Sequence, residues 1–117
     1  MPKYAALIYV PERLMAEPES PETRKVSDAY AAYTEDVQKA GVLRGGEGLM
    51  PTTMATSVLV QDGKTITMDG PFAETKEQLG GFYLVNAANL DEAIEIAAHI
   101  PGAQYGSIEV RPVMTFE

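Results

Sequence analysis

The chain has 117 residues, no cysteine, one histidine and a formal net charge of −8, and 45% of its residues are apolar. That length suits one domain with a true core. The acidic balance argues against a phosphate-backbone partner, so no direct nucleic-acid contact is expected. Without cysteine there is no disulfide, thiolate nucleophile or zinc–thiolate site, and one histidine gives no transition-metal set. No apolar run reaches the ~18 residues of a membrane span, and no basic start leads into an apolar segment. The expectation is a cytoplasmic protein with no cofactor, no bound metal and no membrane contact.

Lys3 to Val10 is an almost uninterrupted apolar run ended by Pro11. A half-exposed strand would alternate, so this one is predicted to be covered on both faces. Pro11 to Pro21 reads as a loop, with one helical turn at Glu12–Ala16. Ser20 and Pro21 form a cap and first-turn pair for a long helix, whose buried stripe is Val26, Tyr30, Tyr33, Val37 and Ala40. Gly41 stops it. A buried tyrosine needs a partner for its hydroxyl, so Tyr30 and Tyr33 are either bonded core residues or pocket-lining groups.

Val42 to Met50 begins as a strand and carries three glycines in four positions. It lacks the spacing of a phosphate loop; such glycines predict a bulge, a twist or close backbone contact. Arg44 and Glu47 flank them, either facing a site or forming a solvated pair. Ala55–Gln61 and Lys64–Asp69 are strands around Asp62-Gly63, a type I′ hairpin signal.

The hairpin leads into Met68–Tyr83, M-D-G-P-F-A-E-T-K-E-Q-L-G-G-F-Y, the stretch richest in chemistry. Pro71 steers Gly70 away from helical backbone, and Asp69 is expected to accept backbone N–H groups in that turn. Phe72 is an inward anchor. Thr75 and Gln78 have capping-box spacing, which predicts a very short helix stopped by Gly80. Gly81 then permits close approach of another backbone or a ligand before a buried strand resumes at Phe82. Either the stretch is a well-made connection, or Asp69, Glu74, Lys76 and Glu77 rim a pocket mouth.

Asn89 caps a second helix, with Glu92 in capping-box position and Leu90, Ala93, Ile94 and Ala97 as its buried face. His99 in the last turn reads as an exposed cap. In the last strand Ile108 and Val110 point inward, Glu109 and Arg111 outward, and Pro112 marks an edge or a strand end. The order β-α-β, hairpin, β-α-β predicts a ferredoxin-like α+β domain, an antiparallel sheet with both helices on one face. The first strand is apolar on both faces, so a second copy packed sheet against sheet is expected, as a homodimer.

The run D-G-P-F-A-E-T-K-E-Q-L-G-G-F-Y, preceded by G-V-L-R-G-G-E-G-L-M-P and followed by G-S-I-E-V-R-P-V, resembles the DGPF-containing branch of the YCII-related proteins over nearly the whole chain. The resemblance implies a dimeric α+β barrel and a small bacterial protein without assigned activity. DGPF relatives commonly accompany extracytoplasmic-function sigma factors, which implies a sigma-factor-linked partner protein as one function. Some distant YCII relatives are suspected enzymes with a His–Asp pair. Here Tyr30 stands at that His and His99-Ile100-Pro101 where those relatives have Asp-Pro, so their chemistry is not carried over.

The leading function is a small-molecule site between the first helix and the Asp69–Gly81 loop. Its candidate residues are Tyr30, Arg44, Glu47, Asp69, Phe72, Glu74 and Lys76. Asp69 is the first candidate acid or base, while Tyr30 and Lys76 polarise a ligand oxygen. Ser107 lies in an alternating strand without the context of a nucleophile. A binding or regulatory module is the alternative.

Overall fold

The computed structural model describes residues 1–11, 21–71, 73 and 75–116, with Glu22 described by its backbone alone. Among the described residues, six strands and two helices follow in chain order: β1 (Lys3–Pro11), α1 (Pro21–Lys39), β2 (Leu43–Gly48), β3 (Thr56–Gln61), β4 (Lys64–Asp69), β5 (Glu77–Asn86), α2 (Leu90–Ala98) and β6 (Ser107–Pro112). Short 3-10 turns at Thr52–Met54 and Pro101–Gln104 complete it. The main sheet runs β2-β5-β1-β6 with antiparallel neighbours, and β3–β4 is a separate two-stranded sheet. The architecture is α+β and consistent with a ferredoxin-like fold carrying the hairpin as an insertion.

The core lies on one face of the sheet. Tyr4, Ala6 and Ile8 of β1 and Tyr83 and Val85 of β5 alternate inward and pack against Tyr33 and Val37 of α1, Ala93 and Ala97 of α2, and Ile100. Ile108 and Val110 are half-buried beside them, as their alternation predicts. The glycine stop of α1 is as expected. Gly41 has φ 76°, Gly41 N–H donates to the Gln38 carbonyl at 3.1 Å and Val42 N–H to that of Val37 at 3.2 Å, a Schellman close. Ala40 falls beyond the helix and is exposed. Asn89 Oδ1 caps α2 by accepting from Glu92 N–H at 2.9 Å. Leu90 and Ile94, expected inside, are each 49% exposed, because Ala93, Ala97 and half-buried Ile96 form the inner stripe.

The Asp62-Gly63 hairpin has the left-handed backbone its turn requires, with φ 51° and 75°. The short helix expected at Thr75–Gly80 is absent, because β5 begins at Glu77. Thr75 and Gln78 bond carbonyls instead of the N–H groups a capping box would take. The Thr75 hydroxyl donates to the Glu77 carbonyl, and Gln78 Nε2 donates to the carbonyls of Ala73 at 3.0 Å and Thr75 at 3.2 Å. Gly80 is the extra residue of a bulge, since Gly81 pairs with Ile8 and Leu79 with Tyr9. Gly81 does serve close approach: a Cβ there would lie 2.7 Å from the Glu47 carbonyl oxygen. The expected helical turn at Glu12–Ala16 and the Ser20 cap lie outside the described residues.

Ala5, Leu7 and Tyr9 of β1 and Leu79, Phe82 and Leu84 of β5 occupy the opposite sheet face, which both helices leave open; all six are half-buried. The molecule is correspondingly flat, 46 × 46 × 19 Å.

Candidate functional site

A pocket of about 400 Å³ lies between α1 and the sheet. Val26, Tyr30 and Thr34, at helical spacing on α1, form its roof over Ile8 and Val10 of β1. Gly80–Tyr83 of β5 and Gly46–Gly48 of β2 make its floor, and Gly102 and Tyr105 close one end. Cross-strand partners share a face, and Gly46 pairs with Tyr83 and Gly48 with Gly81. The floor is therefore bare backbone over much of its length.

Tyrosine hydroxyls supply the polarity. Thr34 Oγ1 donates to the Tyr30 carbonyl at 2.8 Å and lies 2.7 Å from the Tyr83 hydroxyl. A threonine hydroxyl has one proton, so Tyr83 is the donor in that second bond. The Tyr33 hydroxyl donates to the Ile96 carbonyl at 2.8 Å, and its ring meets Tyr83 edge-on with centroids 5.2 Å apart. Burial, then the neighbouring Tyr83, pushes the Tyr33 hydroxyl up to about 12. Burial also raises Tyr30, while the nearby Gly102 backbone works in the opposite direction. Gly102 is indispensable to that geometry: a Cβ there would run into the Tyr30 hydroxyl and lie 3.0 Å from Ile8 Cγ2.

A YCII-related domain matches residues 3–117 of the chain. A protein of Rhizobium meliloti (strain 1021), described as uncharacterized, is 41% identical over 116 residues, covering 97% of this chain and 94% of its own. The chain belongs to the YCII-related family. No helix among the described residues is long and apolar enough to cross a membrane.

Of the candidate residues of this YCII-related chain, Tyr30 and Glu47 line the pocket. Glu47 does so with its backbone. It pairs with Phe82, which points away from the face that holds Tyr83, so its side chain belongs to the open sheet face. Arg44 is the extra residue of a β2 bulge. Its guanidinium is tied down: Nη1 donates to the Leu43 carbonyl at 3.1 Å, and the Asn86 amide, with its oxygen turned toward Arg44, accepts from Nε at 2.7 Å and Nη2 at 2.9 Å. Lys76 is exposed in a shallow depression with Tyr9, Thr75, Glu77 and Ser107, where Ser107 Oγ donates to Glu77 Oε1 at 3.0 Å. Phe72 and Glu74 lie outside the described residues.

Asp69 ends β4 at the base of the hairpin, opposite Thr56, and is exposed. Its carboxylate makes no hydrogen bond or ion pair among the described residues, and Phe72 and Glu74, whose N–H groups the expected turn-closing role would use, lie outside them. Gly70 N–H donates to the Ala55 carbonyl and Ser57 Oγ to the Gly70 carbonyl, each at 2.8 Å, and these close the turn. Gly70 itself has φ 96°. Asp69→Asn and Asp69→Ala are both expected to change unfolding free energy by no more than about 0.5 kcal/mol in urea titrations, as for other exposed residues without partners. A loss of about 1 kcal/mol confined to Asp69→Ala would restore the capping role.

Sequence reasoning missed Thr34, Tyr83 and Gly102. Thr34 had a signal, one helical turn after Tyr30; the role of Gly102 depends on the tertiary approach of α1 and had none. A second, broader depression of about 1000 Å³ runs between the helices, with Ala29, Ala32 and Ile96 on its floor and Asp36, Glu92, Glu95 and His99 along it.

Proposed function

We propose that this chain is a DGPF-type YCII-related homodimer that binds a small molecule in the pocket between α1 and the sheet. The observation that carries the reading is the pocket itself: about 400 Å³, apolar on its walls, with the Tyr30 hydroxyl close against Gly102 at one end. The D-G-P-F run at Asp69–Phe72 supports the branch. The half-buried apolar sheet face that neither described helix covers supports the second copy.

Fragment screening by ligand-detected NMR tests the binding. Fragments are expected to bind the wild type and to be lost in Val26→Phe, whose ring would fill the pocket. Fragments held equally by both proteins would move the site elsewhere, and an empty screen would sink the reading. A regulatory module is the second reading, favoured by the broad interhelical depression and its acidic side chains, which suit a basic segment of a protein partner. Co-purification of a sigma-factor-linked protein, abolished by a bulky substitution at Ala32, is what that reading expects.

A further inference from the structure

We propose that the pocket takes an uncharged, planar, largely apolar molecule through a carbonyl oxygen that accepts a hydrogen bond from Tyr30. The inference rests on the small-molecule reading above and names the class of ligand.

Charge comes first. Among the described residues no lysine, arginine or histidine lines the pocket, and the one carboxylate residue among them, Glu47, carries its side chain to the other face of the sheet. An anion would enter without a counter-charge and a cation without a carboxylate, and burying an unpaired charge is costly. The apolar walls of Ile8, Val10 and Val26 add to the same preference.

Proton counting comes second. The Thr34 proton goes to the Tyr30 carbonyl, the Tyr83 proton to Thr34, and the Tyr33 proton to the Ile96 carbonyl. Tyr30 differs from all of these. Its hydroxyl makes no hydrogen bond with any described residue, so its proton is uncommitted among them. The pocket therefore offers Tyr30 as its buried uncommitted donor, with the more exposed Tyr105 hydroxyl closing the same end, and a ligand that meets Tyr30 needs an acceptor oxygen. Burial keeps that hydroxyl protonated, as a donor must be.

Shape comes third. Gly46, Gly48 and Gly81 present peptide planes without side chains on the helix-facing side of the sheet. A flat molecule can lie on such a floor; a branched one wastes it.

The test compares 1-indanone with indane, two flat probes of nearly the same shape that differ in one carbonyl oxygen, by calorimetric titration of wild type and Tyr30→Phe. Wild type is expected to hold 1-indanone at least about fivefold tighter than indane, the ratio that one neutral hydrogen bond supplies. Tyr30→Phe should erase that ratio. Equal affinity of the two probes for wild type, or a ratio that survives in Tyr30→Phe, would overturn the carbonyl assignment while leaving the pocket standing. Failure of both probes to bind would overturn the assignment together with the small-molecule reading. Should the variant not fold, the wild-type comparison decides alone.

Discussion

Ile100→Ala is expected to lower the unfolding free energy by about 3 kcal/mol, read as a fall in the urea midpoint at unchanged slope. Ile100 is 1% exposed and follows α2 directly, where the chain turns down into the 3-10 turn that carries Gly102. It packs within the cluster that joins β1, α1 and α2. Truncation removes the transfer energy of the lost methyl groups and leaves a cavity that neighbours on three elements cannot readily fill. Leu90→Ala and Ile94→Ala are the controls. Both are large aliphatic residues of the same segment, yet each is half-exposed, so each should cost about 1 kcal/mol or less. Equal losses at Ile94 and Ile100 would mean that α2 buries a different face from the one described.

That contrast shows where the sequence was legible and where it was not. Helix ends were readable because their signals are local: Asn89 caps α2 and Gly41 closes α1 by contacts within a few residues. The hairpin was readable for the same reason, since Asp62-Gly63 suits its backbone with no help from the rest of the fold. The buried stripe of α2 was not. Leu90 and Ile94 satisfy helical periodicity as well as Ala93 and Ala97 do, and only the close approach of the sheet selects the small residues. Thr75–Gly80 failed for a related reason. The capping-box pattern was present, but pairing of Glu77, Gln78, Leu79 and Gly81 with β1 gives the segment ladder partners that a one-turn helix cannot match.

The candidate site shows the same division. Tyr30 was legible as a tyrosine that is either bonded or pocket-lining, and the structure packs its hydroxyl against Gly102, 72 residues along the chain, at the end of the pocket. Charged residues near glycines looked functional but their fates differ: Arg44 is held by Asn86, and Glu47 points its side chain to the open face. Which face a strand residue takes depends on register, and Arg44, the extra residue of a bulge, breaks the simple alternation.

Leu7→Glu is expected to convert the protein from dimer to monomer while leaving its circular dichroism unchanged. Leu7 sits on β1 in the middle of the sheet, on the face away from the helices, paired with Phe82 of β5. Ala5, Tyr9, Leu79 and Leu84 surround it with apolar surface that the two described helices leave open. The hairpin gives a second, independent reason for a partner. Val58 and Val60 are 60% and 68% exposed, and an isolated two-stranded sheet is at best marginally stable in water. A symmetric pair needs about 800 Å² from each copy, which the sheet face and the hairpin together are placed to provide. In such a pair symmetry introduces the new carboxylate twice. Each would lose its water without gaining a cation, at a cost of several kcal/mol, and about 4 kcal/mol weakens association roughly a thousandfold. In the monomer the same side chain stays half-open to solvent, so folding should survive. Light scattering of the wild type should give twice the 12.6 kDa chain mass, and of Leu7→Glu the chain mass alone. A wild type that runs as a stable monomer would remove the second copy from the reading. A Leu7→Glu protein that dimerises as tightly as the wild type would take the sheet face out of the interface and leave the hairpin to carry it.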